Sequence, residues 1–270
     1  GPDFQNLHRN KRSMTLNLKS EEGKKIFKKL AEKADVIVEN FRPDVKHRLG
    51  IDYDTLFTHN PGLVYASISG FGQDGPLADR PGFDQIAQGM GGLMSITGEP
   101  GRGPMRVGIP IADLCAGLFA AQAIFIALLE RSKSGKGQWV QTSLLQAQAF
   151  MLDFQAARYL MNGDVPRQAG NNHPTSIPTG VFKTSDGFIN LAVAGEQIWK
   201  RLAETLQKSE WCDDERFAIN ESRSQNRDLL NAEIEKITKT QTSTYWVTKL
   251  NEAGIPAGDI NDIGQVFESP

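Results

Sequence analysis

The chain has 270 residues, with 30 Lys+Arg against 32 Asp+Glu for a formal charge of −2, and 39% of its residues are hydrophobic. This is the composition of one large or two modest globular domains that can bury a core without staples, and it excludes disorder and a bulk polyanion binder such as a nucleic-acid protein. Cys115 and Cys212 supply neither a disulfide framework nor a zinc spacing, and the scattered His8, His47, His59 and His173 offer no metal site. The expected compartment is reducing, the cytoplasm or, in a eukaryote, the mitochondrial matrix.

Gly1-Pro2-Asp3-Phe4 lacks the basic-then-apolar pattern of a secretory signal. Ser20-Glu21-Glu22 is a helix start, with Ile26, Phe27, Leu30, Ala31 and Ala34 recurring at helical spacing after it. Residues 35–39 and 63–69 are short apolar runs expected to form buried strands, the second following the breaker Asn60-Pro61-Gly62. Strands separated by helical stretches predict parallel βαβ units, hence an α/β, Rossmann-like first domain over residues 1–165. Residues 70–110 are rich in Gly and Pro and are expected as a long functional loop. The uncharged run 114–129 between Asp113 and Glu130 is shorter than a membrane span and is expected as part of a buried helix over about 112–131. A turn at 134–137, a strand at 138–142 and a helix at 144–161 follow. From about residue 170 the pattern predicts a smaller α+β domain: a hairpin of 181–183 and 188–194 around Asp186-Gly187, then helices near 197–206, 223–238 and 243–253.

Three local features bear on chemistry. Gly70-Phe71-Gly72-Gln73-Asp74-Gly75 matches G-x-G-x-x-G after a strand, but Pro76 follows and no amphipathic helix opens, so the phosphate-binding physics of a dinucleotide site is missing. Asp113, where a loop enters the long helix, is either an N-cap or a carboxylate nucleophile or base held ionised by the helix N-terminus. Arg42, Lys46, His47 and Arg48 follow the strand end at residue 39, where ligands of open α/β sheets bind, and form either a solvated basic face or an anion site.

Taken in order, Asn10-Lys11-Arg12-Ser13, residues 34–43 (ADVIVENFRP), Ser69-Gly70-Phe71-Gly72, Gly91-Gly92-Leu93-Met94, Ile111-Ala112-Asp113-Leu114, Arg131 with Gly135-Lys136-Gly137-Gln138, and Gly254-Ile255-Pro256-Ala257-Gly258 resemble the class III CoA-transferases. The resemblance implies an enzyme that moves CoA from an acyl-CoA to a free carboxylic acid. CoA would be a substrate, with no permanent cofactor and no metal, in an interlocked homodimer. It implies that Asp113 is the acyl-accepting nucleophile and that Leu16 to Lys19, Asn40, Phe41, Arg42, Arg48 and Asp84 form the CoA site. Gln85, Gln88, Gly91 and Gly92 would lie beside Asp113, with His173 on a loop of the second domain closing over the acyl group. It also implies that the chain begins after a strand–helix unit of the family and stops before the family's return into the large domain. The related α-methylacyl-CoA racemases carry Gly-His-Asp where this chain has Gly82-Phe83-Asp84, and Phe83 cannot shuttle a proton.

Overall fold

Short runs rich in Val, Ile and Tyr pair side by side in the computed structural model, which describes residues 1–269. They fall in two units, Gly1–Thr97 with Pro104–Pro166, and Gly98–Gly103 with the chain from Arg167 onward.

The first unit starts with α1 (Pro2–His8) and α2 (Glu21–Ala31), whose Ser20 Oγ accepts from the Gly23 N–H at 3.1 Å. Strand β1 (Val36–Glu39) leads through α3 (Pro43–Leu49) and α4 (Tyr53–Phe57) to β2 (Val64–Ser69). Helices α5 (Asp84–Met90), α6 (Leu93–Ile96) and α7 (Ile111–Ser134) precede β3 (Trp139–Ser143), and α8 (Leu144–Phe150) and α9 (Asp153–Asn162) complete the unit. The sheet is parallel in the order β1-β2-β3, with Val36 opposite Val64 and Tyr65 opposite Trp139. Central β2 is buried, as a strand with neighbours on both edges must be. This is the α/β, parallel-strand architecture expected from the sequence. Arg131 closes it from the end of α7, with its guanidinium 2.8 Å from Asp35 Oδ1 and 2.9 Å from the Gly62 carbonyl.

Several local expectations change. The segment 70–110 is not all loop, because α5 and α6 lie inside it; Gly89, Gly91 and Gly92 dilute the periodicity that would have marked them. No helix opens after Gly75, and the next begins at Asp84. The helix expected over 144–161 breaks at Met151 and Leu152, where Asp153 takes φ 48°. Nor is α7 a buried helix. Its small residues Ala112, Cys115, Ala116, Ala120 and Ala127 face inward, whereas Leu118, Phe125, Ile126 and Leu129 are exposed.

The second unit holds an antiparallel sheet of β4 (Gly180–Lys183), β5 (Phe188–Leu191) and β6 (Ala257–Asp259), with α10 (Glu196–Thr205), α11 (Asn220–Gln225), α12 (Arg227–Thr238), α13 (Ser243–Glu252) and α14 (Ile263–Glu268). β5 ends at Leu191 rather than at 194, the helix expected over 223–238 is interrupted at Asn226, and β6 and α14 had no periodic signal. Trp199 stacks on Trp211 within a core that also holds Phe182, Phe217, Leu230 and Trp246. Arg223, buried there, is satisfied by Glu196 at 2.7 Å and the Ile177 carbonyl at 2.9 Å.

Candidate active site

Parallel strands end at one edge of the sheet, and the chain leaving each end must turn there. The exits of β1 and β2, together with Gly82, Phe83, Leu144 and the first turn of α7, enclose a cavity of about 450 Å³ lined by Asn40, Ile68, Ser69, Gly70, Gly82, Phe83, Asp113 and Leu144. Gly70 and Gly82 are required by mutual approach: a Cβ on Gly70 would lie 2.7 Å from the Gly82 Cα. That crossing brings main chain to the cavity wall on both sides.

Asp113 is not an N-cap. Helix α7 starts at Ile111, so Asp113 is its third residue, and the carboxylate that satisfies the helix start is Asp84, whose Oδ1 accepts from the Ala112 N–H at 2.9 Å. Asp84 Oδ2 accepts from Gln88 Nε2 at 2.7 Å, and Gln88 Oε1 in turn accepts from the Val107 N–H at 2.9 Å. Both side chains are buried, and the Ala112 bond ties them to the turn of α7 that carries Asp113. Asp113 itself is exposed, and among the described residues it accepts no hydrogen bond. Its carboxyl is pushed above the usual aspartate range, first by the protein packed around it and then by the like charge of Asp84. The direction is opposite to the pull of a helix N-terminus toward the anion, which the sequence position alone had suggested.

A second cavity of about 940 Å³ is lined by Leu16, Asn17, Leu18, Lys19, Lys24, Phe41, Val45, Arg48 and Leu49. Apolar side chains and three cations share it, a combination suited to a ligand with a flat apolar part and anionic groups. Asn40 in the first cavity and Phe41 in the second are adjacent in the chain. The structure thus gathers the sequence candidates Leu16, Lys19, Phe41 and Arg48 in one place, with Asn40 and Asp113 in the other.

The basic cluster is divided. Arg48 is exposed on the cavity wall, 3.6 Å from Asp44; Arg42 is exposed immediately before α3 and lies on neither wall. His47 stands 3.9 Å from Asp52. Lys46 is fully buried and contributes nothing to a basic face. Gln85 is exposed on α5, while Gly91 and Gly92 join α5 to α6. Gly91 is packed so closely that a Cβ would lie 2.5 Å from Gln148 Cγ. His173 belongs to the second unit, where its Nδ1 accepts from the Ser176 N–H at 2.9 Å.

Lys24, Val45 and Leu49 are wall residues that the sequence reading missed. For the last two the signal was present: Pro43 at the first helical position and Gly50, at φ 66°, just past the end mark residues 43–49 as a helix, which sets Val45 and Leu49 on one face. Burial also pushes the Cys115 thiol up, which leaves it inert. No group of three His, Cys, Asp or Glu among the described residues is placed to hold a metal ion.

The model of CoA-transferase family III matches residues 1–270. The chain is 40% identical over 267 residues to a succinate–glutarate CoA-transferase of Agrobacterium fabrum, which covers 97% of this chain and 66% of that protein. It is 38% identical to an acetyl-CoA:oxalate CoA-transferase of Acetobacter aceti, covering 99% of this chain and 69% of that one. The chain thus spans about two-thirds of the length of these relatives. A crystal structure of a CAIB/BAIF family protein from Brucella suis superposes with a TM-score of 0.85 at 40% identity, covering 97% of this chain and 70% of that chain.

Proposed function

Because the chain belongs to CoA-transferase family III, we propose that it moves CoA from an acyl-CoA to a free carboxylic acid, with Asp113 as the nucleophile. The observation that carries this reading is the pairing of cavities: an unpartnered carboxylate in the smaller one, and the larger, cation-rimmed one reached through the adjacent residues Asn40 and Phe41. The nucleotide end of CoA would occupy the larger cavity, with its base against Leu16, Phe41 and Leu49 and its phosphates near Lys19, Lys24 and Arg48. The thioester would then reach Asp113.

The Asp113 carboxylate attacks the thioester carbonyl and the C–S bond breaks, giving an acyl-aspartyl anhydride and CoA thiolate. The thiolate attacks the aspartyl carbonyl, releasing the donor acid and leaving an aspartyl-CoA thioester. The acceptor carboxylate displaces the thiolate to form a second anhydride. Attack of the thiolate on the acceptor's acyl carbon then completes the new thioester and restores Asp113. Backbone N–H groups where Gly70 and Gly82 bring main chain to the wall are suited to the oxyanions. A carboxyl pushed above its ordinary range is a better nucleophile once ionised. Phe83, exposed on the cavity wall, favours transfer over racemisation, which needs a proton shuttle.

The acids proposed are small dicarboxylates, since the relatives' names carry succinate, glutarate and oxalate. The apolar outer face of α7 supports a homodimer. Mass spectrometry after incubation with succinyl-CoA tests the mechanism: an adduct on Asp113 that is absent from Asp113→Asn is expected, and an adduct elsewhere refutes it.

A further inference from the structure

Beneath the Asn40–Phe41 junction lies a buried charged network that a CoA site does not by itself require. Glu39, the last residue of β1, and Lys46, in the middle of α3, are both buried, with Lys46 Nζ 3.3 Å from Glu39 Oε1. Glu39 Oε1 also accepts from Ser67 Oγ on β2 at 2.5 Å, and Ser67 Oγ accepts from Trp139 Nε1 on β3 at 2.9 Å. The Lys46 ammonium sits 5.5 Å from the centre of the Trp139 ring and donates to Gln73 Oε1. Finally, Glu39 Oε2 accepts from the Phe41 N–H at 2.8 Å.

A buried ion pair is poor evidence of stability, because desolvation offsets most of the attraction. What this one does is geometric. Three segments that line the two cavities meet at it: the turn carrying Asn40 and Phe41, the helix carrying Val45, Arg48 and Leu49, and the loop that leaves Gly70 and carries Gln73. Lys46 pointing inward sets the rotation of α3 about its axis, and so the direction in which Arg48 and Leu49 face.

We propose that the buried Glu39–Lys46 pair is the positioning element of the CoA site, holding the Asn40–Phe41 turn and the rotation of α3 in register with each other. The proposal rests on the CoA-transferase reading for its ligand. Its geometry can be tested without that reading.

Lys46→Met leaves the Glu39 carboxylate buried without a cation, so it draws in water and releases the Phe41 N–H. Glu39→Gln combined with Lys46→Met buries no charge and keeps an acceptor for Phe41, but loses the tie to α3 and Gln73. Amide hydrogen exchange of Phe41 and calorimetric titration with CoA are measured in the intact protein, in wild type and both variants. In Lys46→Met the Phe41 exchange rate and the CoA Kd each rise at least tenfold. In the double variant Phe41 exchange returns to within threefold of wild type, while the CoA Kd stays at least fivefold raised. A variant that merely lost stability would melt earlier with unchanged CoA affinity. Phe41 exchange unchanged in Lys46→Met, or CoA affinity within twofold of wild type in the double variant, overturns the proposal. Should Lys46→Met not fold, the double variant's affinity decides alone. If wild type binds no CoA, the functional reading falls, and Phe41 exchange in Lys46→Met still decides whether the network positions the turn: a rise of at least tenfold supports it and an unchanged rate overturns it.

Discussion

Replacing Asp84 tests how Asp113 is presented. In Asp84→Ala the N–H of Ala112, fully buried, loses its acceptor at 2.9 Å, and Gln88 Nε2 loses its 2.7 Å bond and keeps only a 3.3 Å contact to the Ile109 carbonyl. An orphaned buried donor costs about 1–3 kcal/mol and a weakened hydrogen bond about 0.5–1.5 kcal/mol, so the variant should lose about 2–4 kcal/mol. Asp84→Asn keeps an acceptor for Ala112 but sets its amide N–H against that of Gln88, and should lose about 1 kcal/mol. The two variants share a second effect, because both remove the like charge that raises the Asp113 carboxyl. The acid limb of the exchange rate should therefore move to lower pH in Asp84→Asn, whose fold survives. Urea unfolding with unchanged m, and kcat/KM for acyl-CoA against pH, read out the two effects. A loss under 0.5 kcal/mol in Asp84→Ala would refute the capping role at about the limit of such measurements, and an unmoved acid limb in Asp84→Asn would refute the electrostatic one.

Asp113→Asn should reduce exchange by roughly four orders of magnitude or more, as loss of a covalent nucleophile does, checked by the rate of thioester transfer. Because its folded carboxyl is raised, Asp113 favours the native state below its unfolded pKa and loses that contribution as pH rises through the folded one; Asp113→Asn should therefore melt no lower than wild type at neutral pH. Arg48→Ala should weaken CoA binding by about 1.5–3 kcal/mol, roughly 10- to 150-fold in calorimetric Kd, with the smaller figure favoured by the exposure of this side chain. Gly91→Ala places a methyl 2.5 Å from Gln148 Cγ and 2.7 Å from the Ala87 carbonyl, and should cost about 1–3 kcal/mol in chemical denaturation.

The parts of the fold legible in the sequence were those whose signal is local. Residues 36–39 and 64–69 stand out because Val, Ile and Tyr run together between breakers, and α2 because Ser20 caps it. Helices α5 and α6 were not legible because Gly89, Gly91 and Gly92 dilute the pattern there, and one of these, Gly91, answers to a neighbour distant in sequence, Gln148. Lys46 looks like one more cation of a basic run. Only the pairing of β2 with β1 on one edge and β3 on the other brings Glu39, Ser67 and Trp139 around it. Arg42 and Arg48 read alike as cations of one basic run, but Arg42 lies in extended chain just before α3 and on neither cavity wall, whereas Arg48 is carried by the helix onto the wall of the larger cavity.

The same non-local logic shows which carboxylate caps α7 and so bears on the role proposed for Asp113. From sequence, a carboxylate at a loop-to-helix junction has two uses, satisfying the helix start or reacting, and one group cannot do both well, because a capping carboxylate has its lone pairs held by N–H donors and its nucleophilicity lowered. Two carboxylates stand at this junction, and the fold gives the capping use to one of them, which leaves the other available for the proposed chemistry. Asp84, buried, accepts from Ala112 and Gln88. Asp113, one residue past the capped N–H, is left exposed on the cavity wall with no donor among the described residues. A cap supplied from α5, remote in sequence, is what frees the carboxylate on α7. The charge of that cap, held nearby without touching Asp113, further raises the basicity a nucleophile needs.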